Sequence, residues 1–192
     1  MRETQEGHGS RPSRHANIFL KKLLMKWVGV TGSRKTNGIV ENDVRFHVRE
    51  FMNQGKGLVT GGALGVDSIA LDEALKIDPS ASKIKIYIPT PLDIYSAHYR
   101  KMTSGGTITN IEVENLITQL KYLQKINPKS LQGTEYNKLV NTESYHERNS
   151  FIVNLADKLL AFQVNSSSGT QDTIEKAKVK GIPFQLFTYT IT

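Results

Sequence analysis

Short β-rich runs alternate with helix-spaced apolar stripes along most of the 192-residue sequence, and this alternation limits the fold more than any other feature. "KWVGVTGS" ends in a Gly-Ser turn, and Val40, Val44, Val48, Phe51 and Met52 then recur at helical spacing. "GLVTGG" reads as a second strand, with Val66, Ile69, Ala70 and Ala74 on one face of the helix after it. "SKIKIYIPT" alternates as a third strand. Parallel neighbours need a crossover between them, usually a helix. The repeated strand and helix order therefore predicts an α/β protein with a doubly wound, mostly parallel sheet and helices on both faces.

The second half continues the pattern. Thr109 and Glu112 make a capping box ahead of an apolar stripe of Val113, Leu116, Ile117, Leu120 and Leu123. The polar stretch 127–141 reads as a loop. Ser144 and Glu147 form a second box, opening a helix whose Phe151, Ile152, Leu155 and Ala156 face the sheet. "KLLAFQV" follows as a central strand, a helix stopped by Gly181 comes next, and "IPFQLFTYT" is the last strand. No internal repeat is present, so residues 26–192 are expected to form one domain. Residues 1–25 mix Gly, Ser, Pro, His and charge without periodicity, which predicts a basic, disordered arm.

Composition narrows the function classes. The formal charge of +7 biases the chain toward polyanions, and part of it is local: Arg2, Arg11, Arg14, Lys21, Lys22 and Lys26 stand against Glu3 and Glu6. The absence of cysteine excludes disulfides and thiolate metal sites, and favours a reducing, cytoplasmic setting. No apolar run approaches the roughly 20 residues that span a bilayer. "IFLKKLLMKWVGV" is broken by lysines and lacks a small-residue cleavage site, so neither a membrane segment nor a signal peptide is expected. His47, His98 and His146 lack metal-ligand spacing, and no metal or cofactor is expected. Neither a Gly-x-Ser-x-Gly elbow nor a Gly-x-x-x-x-Gly-Lys-Ser/Thr loop occurs.

In a doubly wound sheet, ligands sit beyond the carboxyl ends of the strands, where helix N-termini present unpaired N–H groups. Three Gly/Ser/Thr-rich loops leave strands in that direction: "TGSRKTNG", "TGGALGVD" and "NSSSGTQDT". They offer close backbone approach and small hydroxyl donors to phosphate. The candidate phosphate or nucleotide ligands are Gly32, Ser33 and Arg34 from the first loop, and Gly61, Gly62, Ala63 and Gly65 from the second. Ser168, Gly169, Thr170 and Thr173 come from the third. Arg34 adds a permanent cation with a planar fork. Asp67, an anion, is expected to cap the helix after "TGGALG", the alternative being a hydrogen bond from a ribose hydroxyl. Arg148 and Asn149, the remaining candidate phosphate or nucleotide ligands, are placed in the first turn of the helix opened by Ser144, where a cation is mildly unfavourable unless an anion such as a ligand or Glu147 lies nearby.

"VGVTGSRKTNG", "VTGGALGVDSIALDEAL", "PLDIYSAHY", "YHERNSFIVNLADKLLAF" and "SSGTQDTIEKAKVKGIPF" come in the order and spacing of one known family. The chain resembles the Rossmann-like core of DNA-processing protein A (DprA/Smf), in the wider SMF/LOG superfamily, from about Trp27 to Phe187. The resemblance implies a Rossmann-like fold whose basic, Gly-rich pocket takes single-stranded DNA or a nucleotide, handing DNA to a recombinase partner without catalysis. It also implies a homodimer, with "IPFQLFTYTIT" as the buried end. Two departures stand out: no winged-helix domain follows the last strand, and Leu71 stands where the family pattern has histidine.

A rival in the superfamily is the LOG-type phosphoribohydrolase, which cleaves nucleoside monophosphates. "HERN" and "GT" resemble parts of its "HERK" and "PGGxGTxxE" signatures, with Arg148 matching the family arginine. Its catalytic glutamate falls on Thr173 here, and Glu175 lies about 200° around a helix. Asp172 is the nearby substitute, so Arg148 and Asp172 are the catalytic pair this alternative requires. A sensor that binds a small nucleotide without turnover is the third reading.

Overall fold

The computed structural model describes residues 27–191; the arm expected over residues 1–25 lies outside the described residues. The first strand, β1 (Trp27–Gly32), leads to α1 (Gly38–Asn53), whose Val40, Val44, Val48, Phe51 and Met52 are all buried, as their spacing predicts. Then come β2 (Gly57–Thr60), α2 (Val66–Ile77) and β3 (Ile84–Ile88). Two helices follow, α3 (Leu92–Met102) and α4 (Asn110–Ile126), before a short β4 (Leu131–Gly133). The chain returns through α5 (Thr142–Leu155), β5 (Lys158–Val164), α6 (Ser168–Lys180) and β6 (Phe184–Tyr189).

The strands form one six-stranded sheet in the order β4-β3-β2-β1-β5-β6, and every pairing is parallel. Because helices cover both faces, β1, β2 and β5 are buried on both sides along most of their length, whereas β3 keeps the expected alternation of Ile84, Ile86 and Ile88 with half-buried Lys85 and Tyr87. In β5, Leu160 and Phe162 join the large core with α1, α2 and α4, whereas Leu159 and Ala161 pack against Val153, Ile174 and Ala177 of α5 and α6. Each of the leucines, Val153, Ile174 and Phe162 contributes roughly 1.5–3 kcal/mol of burial, the alanines less.

Three local readings change. Residues 127–141 are not all loop: Leu131–Gly133 pairs with β3 at the sheet edge, too short to show periodicity. Helix α3 occupies "LDIYSAHYRKM", where two tyrosines rather than aliphatic residues make the buried stripe. Helix α5 starts one turn earlier than Ser144 implies. Asn141 is the N-cap and Ser144 its reciprocal partner, because an Asn carbonyl already satisfies the Ser144 N–H at 2.9 Å. Glu147 instead accepts from Tyr136 and Asn137. Arg148 and Asn149 therefore sit in the second turn, beyond the reach of the N-terminal dipole.

Candidate functional site

Strand β1 lies between β2 and β5, so successive crossovers run in opposite directions on its two sides. The crevice this leaves at the carboxyl edge is where such sheets bind ligands. Asn37 caps α1 there, accepting from the Val40 N–H at 3.1 Å. Asn165 and Ser166 both take left-handed backbone, φ 48° and 55°, at about 1 kcal/mol or more each for non-glycine residues. They turn the chain into α6, whose N-cap Ser167 makes no side-chain capping bond. Ser168 and Gly169 are exposed in that first turn, and a β-carbon at Gly169 would meet nothing within 4 Å.

The glycines of the second loop are filled from within the protein. A β-carbon on Gly61 would coincide with the Arg148 guanidinium. Arg148 is buried, 3.3 Å from the Asp67 carboxylate, with its guanidinium carbon 5.5 Å from the Tyr145 ring centre. Its Nε has no hydrogen-bond partner. Asp67 does not cap α2; its Oδ2 accepts from Ala63 N–H at 3.3 Å as well as from Arg148. Burial pushes the Asp67 carboxyl above its ordinary pKa, while the Arg148 charge pulls the other way. Gly62, at φ 61°, leaves its space to Ile86, Ile88 and Leu120. Gly65, at φ 81°, admits the carbonyls of Ser33 and Arg34, which a side chain would strike. Gly32 makes room for Val66, and Ala63 is buried.

Other candidates tie elements together. The Ser33 hydroxyl donates to Val164 O at 3.2 Å and accepts from Val164 N–H at 2.8 Å, fastening β1 to β5. Thr31 donates to the Thr173 hydroxyl at 3.4 Å, Thr173 donates to Gly169 O at 3.1 Å, and Thr170 donates to Ser167 Oγ at 3.2 Å. Asn149 donates to Asp172 at 2.9 Å, and the other Asp172 oxygen faces Lys176 and, at 3.7 Å, His146.

Arg34 differs from all of these. It is exposed, and no described carboxylate pairs with it. With Ser33, Gly65 and Ser167 it lines one end of a groove of about 1620 Å³ that continues between α2 and α4. Burial lowers the His98 pKa below its ordinary value, and the neighbouring Arg34 and Lys101 cations lower it further. The mouth of the groove thus carries the Arg34 guanidinium, which no described carboxylate pairs. The three loops meet here, but only Ser33, Arg34 and Gly65 among the candidates face the groove; Gly61, Gly62, Ala63, Arg148, Asn149 and Thr173 sit behind it.

The sequence matches the family described as DNA recombination-mediator protein A over residues 19–187. The chain belongs to that family. Among solved structures, DNA processing protein A from Helicobacter pylori, described for its single-stranded DNA binding mode, superposes with a TM-score of 0.62 at 22% identity. That match covers 87% of this chain and 67% of the other. DNA processing protein A from Streptococcus pneumoniae matches at TM-score 0.46 and 16% identity, over 86% of this chain and 60% of its own. At these identities the H. pylori likeness speaks for the fold. No curated protein sequence matches the chain significantly.

In this family member, a cluster of tyrosines that sequence reasoning overlooked sets the second loop. Tyr95 donates to Gly62 O at 3.4 Å, and Tyr99 Oη accepts from Leu64 N–H at 3.3 Å. The two rings meet edge-on at 5.0 Å, and Tyr145 lies 6.5 Å from Tyr95. The signal was available in "PLDIYSAHY": Tyr95 and Tyr99 are four apart, on one helix face. No described helix is long and apolar enough to cross a membrane, and no three described His, Asp or Glu residues are grouped to hold a metal.

Proposed function

We propose that this chain binds single-stranded DNA at the carboxyl edge of the sheet. Arg34 neutralises a phosphate and the open first turn of α6, Ser168 to Thr170, donates backbone N–H groups to the same strand. The observation that carries this reading is Arg34: an exposed guanidinium without a described counter-ion at the mouth of a groove, in a family whose H. pylori relative is described as binding single-stranded DNA. Arg148, buried against Asp67, acts behind it by holding the second loop in shape. A cytoplasmic location, a recombinase that receives the DNA, and a second copy of the chain as partner complete the proposal.

Phosphoribohydrolysis through Arg148 and Asp172 draws less support. Asp172 is already bonded to Asn149 and Lys176, which leaves a poor stabiliser for oxocarbenium-like charge. The deciding experiment is fluorescence anisotropy of a labelled oligo-dT at low and near-physiological salt, with and without excess AMP. Steeply salt-dependent binding that survives AMP is expected. Displacement by AMP, with release of free adenine, would move the assignment to the nucleotide enzyme.

A further inference from the structure

The groove does not end at Arg34. It runs along α2, which presents Ser68 and Asp72, and along α4, which presents Asn115, Gln119 and Tyr122 at helical spacing. Gln119 crosses to Ser68 O at 3.1 Å and sets the separation of the walls. Past the mouth the basic side chains are already paired with carboxylates. Arg45 is engaged by Glu41, Asp72 and Glu73, and Lys76 by Asp72 and Glu73, while Glu112, hydrogen-bonded in its capping box, keeps its charge and repels phosphates from this stretch. What remains to a ligand, apart from that carboxylate, is apolar and amide surface, including a Tyr122 ring that is 50% exposed. Such a surface suits flat, uncharged rings with polar edges rather than phosphates.

We infer that the α2–α4 groove receives the bases of a single strand whose phosphate is held at Arg34, with Tyr122 as the stacking platform. The inference rests on the DNA-binding reading and adds a direction to it: the strand leaves the carboxyl edge between these two helices. Continuity with the positive mouth argues for this occupant over an unrelated apolar peptide. Stacking tolerates any base, so the groove favours unpaired strands without demanding a sequence.

The test uses Tyr122→Trp, an exposed position, in a Trp27→Phe background that removes the single native tryptophan. Oligo-dT saturation, monitored in parallel by anisotropy, is expected to quench the emission of the introduced indole, and Tyr122→Ala is expected to weaken binding on the order of tenfold. Binding seen by anisotropy with unchanged emission, and with full affinity in Tyr122→Ala, would overturn the groove while leaving DNA binding at Arg34 intact. Absence of any anisotropy change at low salt would remove both.

Discussion

The Arg148 guanidinium occupies the volume that a side chain at Gly61 would fill, and it is held there by Asp67 at 3.3 Å. A glycine-rich turn that reads as room for a ligand is, at this position, room for an arginine from another helix. Gly61→Ala is expected to expel that arginine and leave Asp67 buried without its counter-charge, destabilising the fold by about 3–5 kcal/mol. Urea unfolding checks this, with Gly169→Ala as the comparison. At Gly169 nothing obstructs a β-carbon, so its stability should change by no more than about 1 kcal/mol.

Arg34→Ala should behave in the opposite way. The side chain is exposed and makes no described ion pair, so unfolding free energy should stay within about 0.5 kcal/mol of the parent. Affinity for oligo-dT should fall, and the slope of log K against log salt should flatten by about 0.7, the value of one phosphate contact on a single strand. A parental slope would remove Arg34 from the interface.

Binding should strengthen as pH is lowered. Burial, Arg34 and Lys101 hold the free His98 below its ordinary pKa, and a phosphate placed beside Arg34 opposes that repulsion and raises it. Complex formation then takes up a proton, so affinity rises as pH falls into the range where His98 titrates. His98→Gln should flatten the anisotropy-derived affinity between about pH 7 and about pH 5, because the lowered His98 titrates at and below the ordinary histidine pKa of about 6.5.

β6 has a described partner only on its β5 side, and it carries Phe184 and Leu186 at 39% and 41% exposure. Self-association through this edge should make the sedimentation coefficient rise with concentration. Leu186→Lys should hold the chain as a monomer, since edge lysines oppose strand addition. Concentration-independent sedimentation of the parent would exclude this edge as a dimer contact.

The framework of the fold was legible because its signals are local. The α1 stripe, the Thr109–Glu112 box and the run "KLLAFQV" are each read from neighbouring residues, and each forms the expected element. The site was legible only as a list of residues. Nothing local distinguishes Gly61, filled by a residue 87 positions later, from Gly169, which stays open. Ser33 likewise reads as a phosphate donor until β5 arrives beside it and takes the hydroxyl. Which turn faces a ligand and which faces the protein depends on pairings between distant segments, and a spacing rule carries no information about those.

The Arg148–Asp67 bond, spanning 81 residues, also dates the site's assembly. During synthesis Arg34 leaves the ribosome long before Arg148. A nascent chain ending before α5 therefore displays Arg34 beside a second loop whose Gly61 still encloses nothing. On the proposed reading, recognition and folding are completed together: until Arg148 has emerged, the edge proposed to take a nucleic acid strand lacks the contact that shapes its second loop.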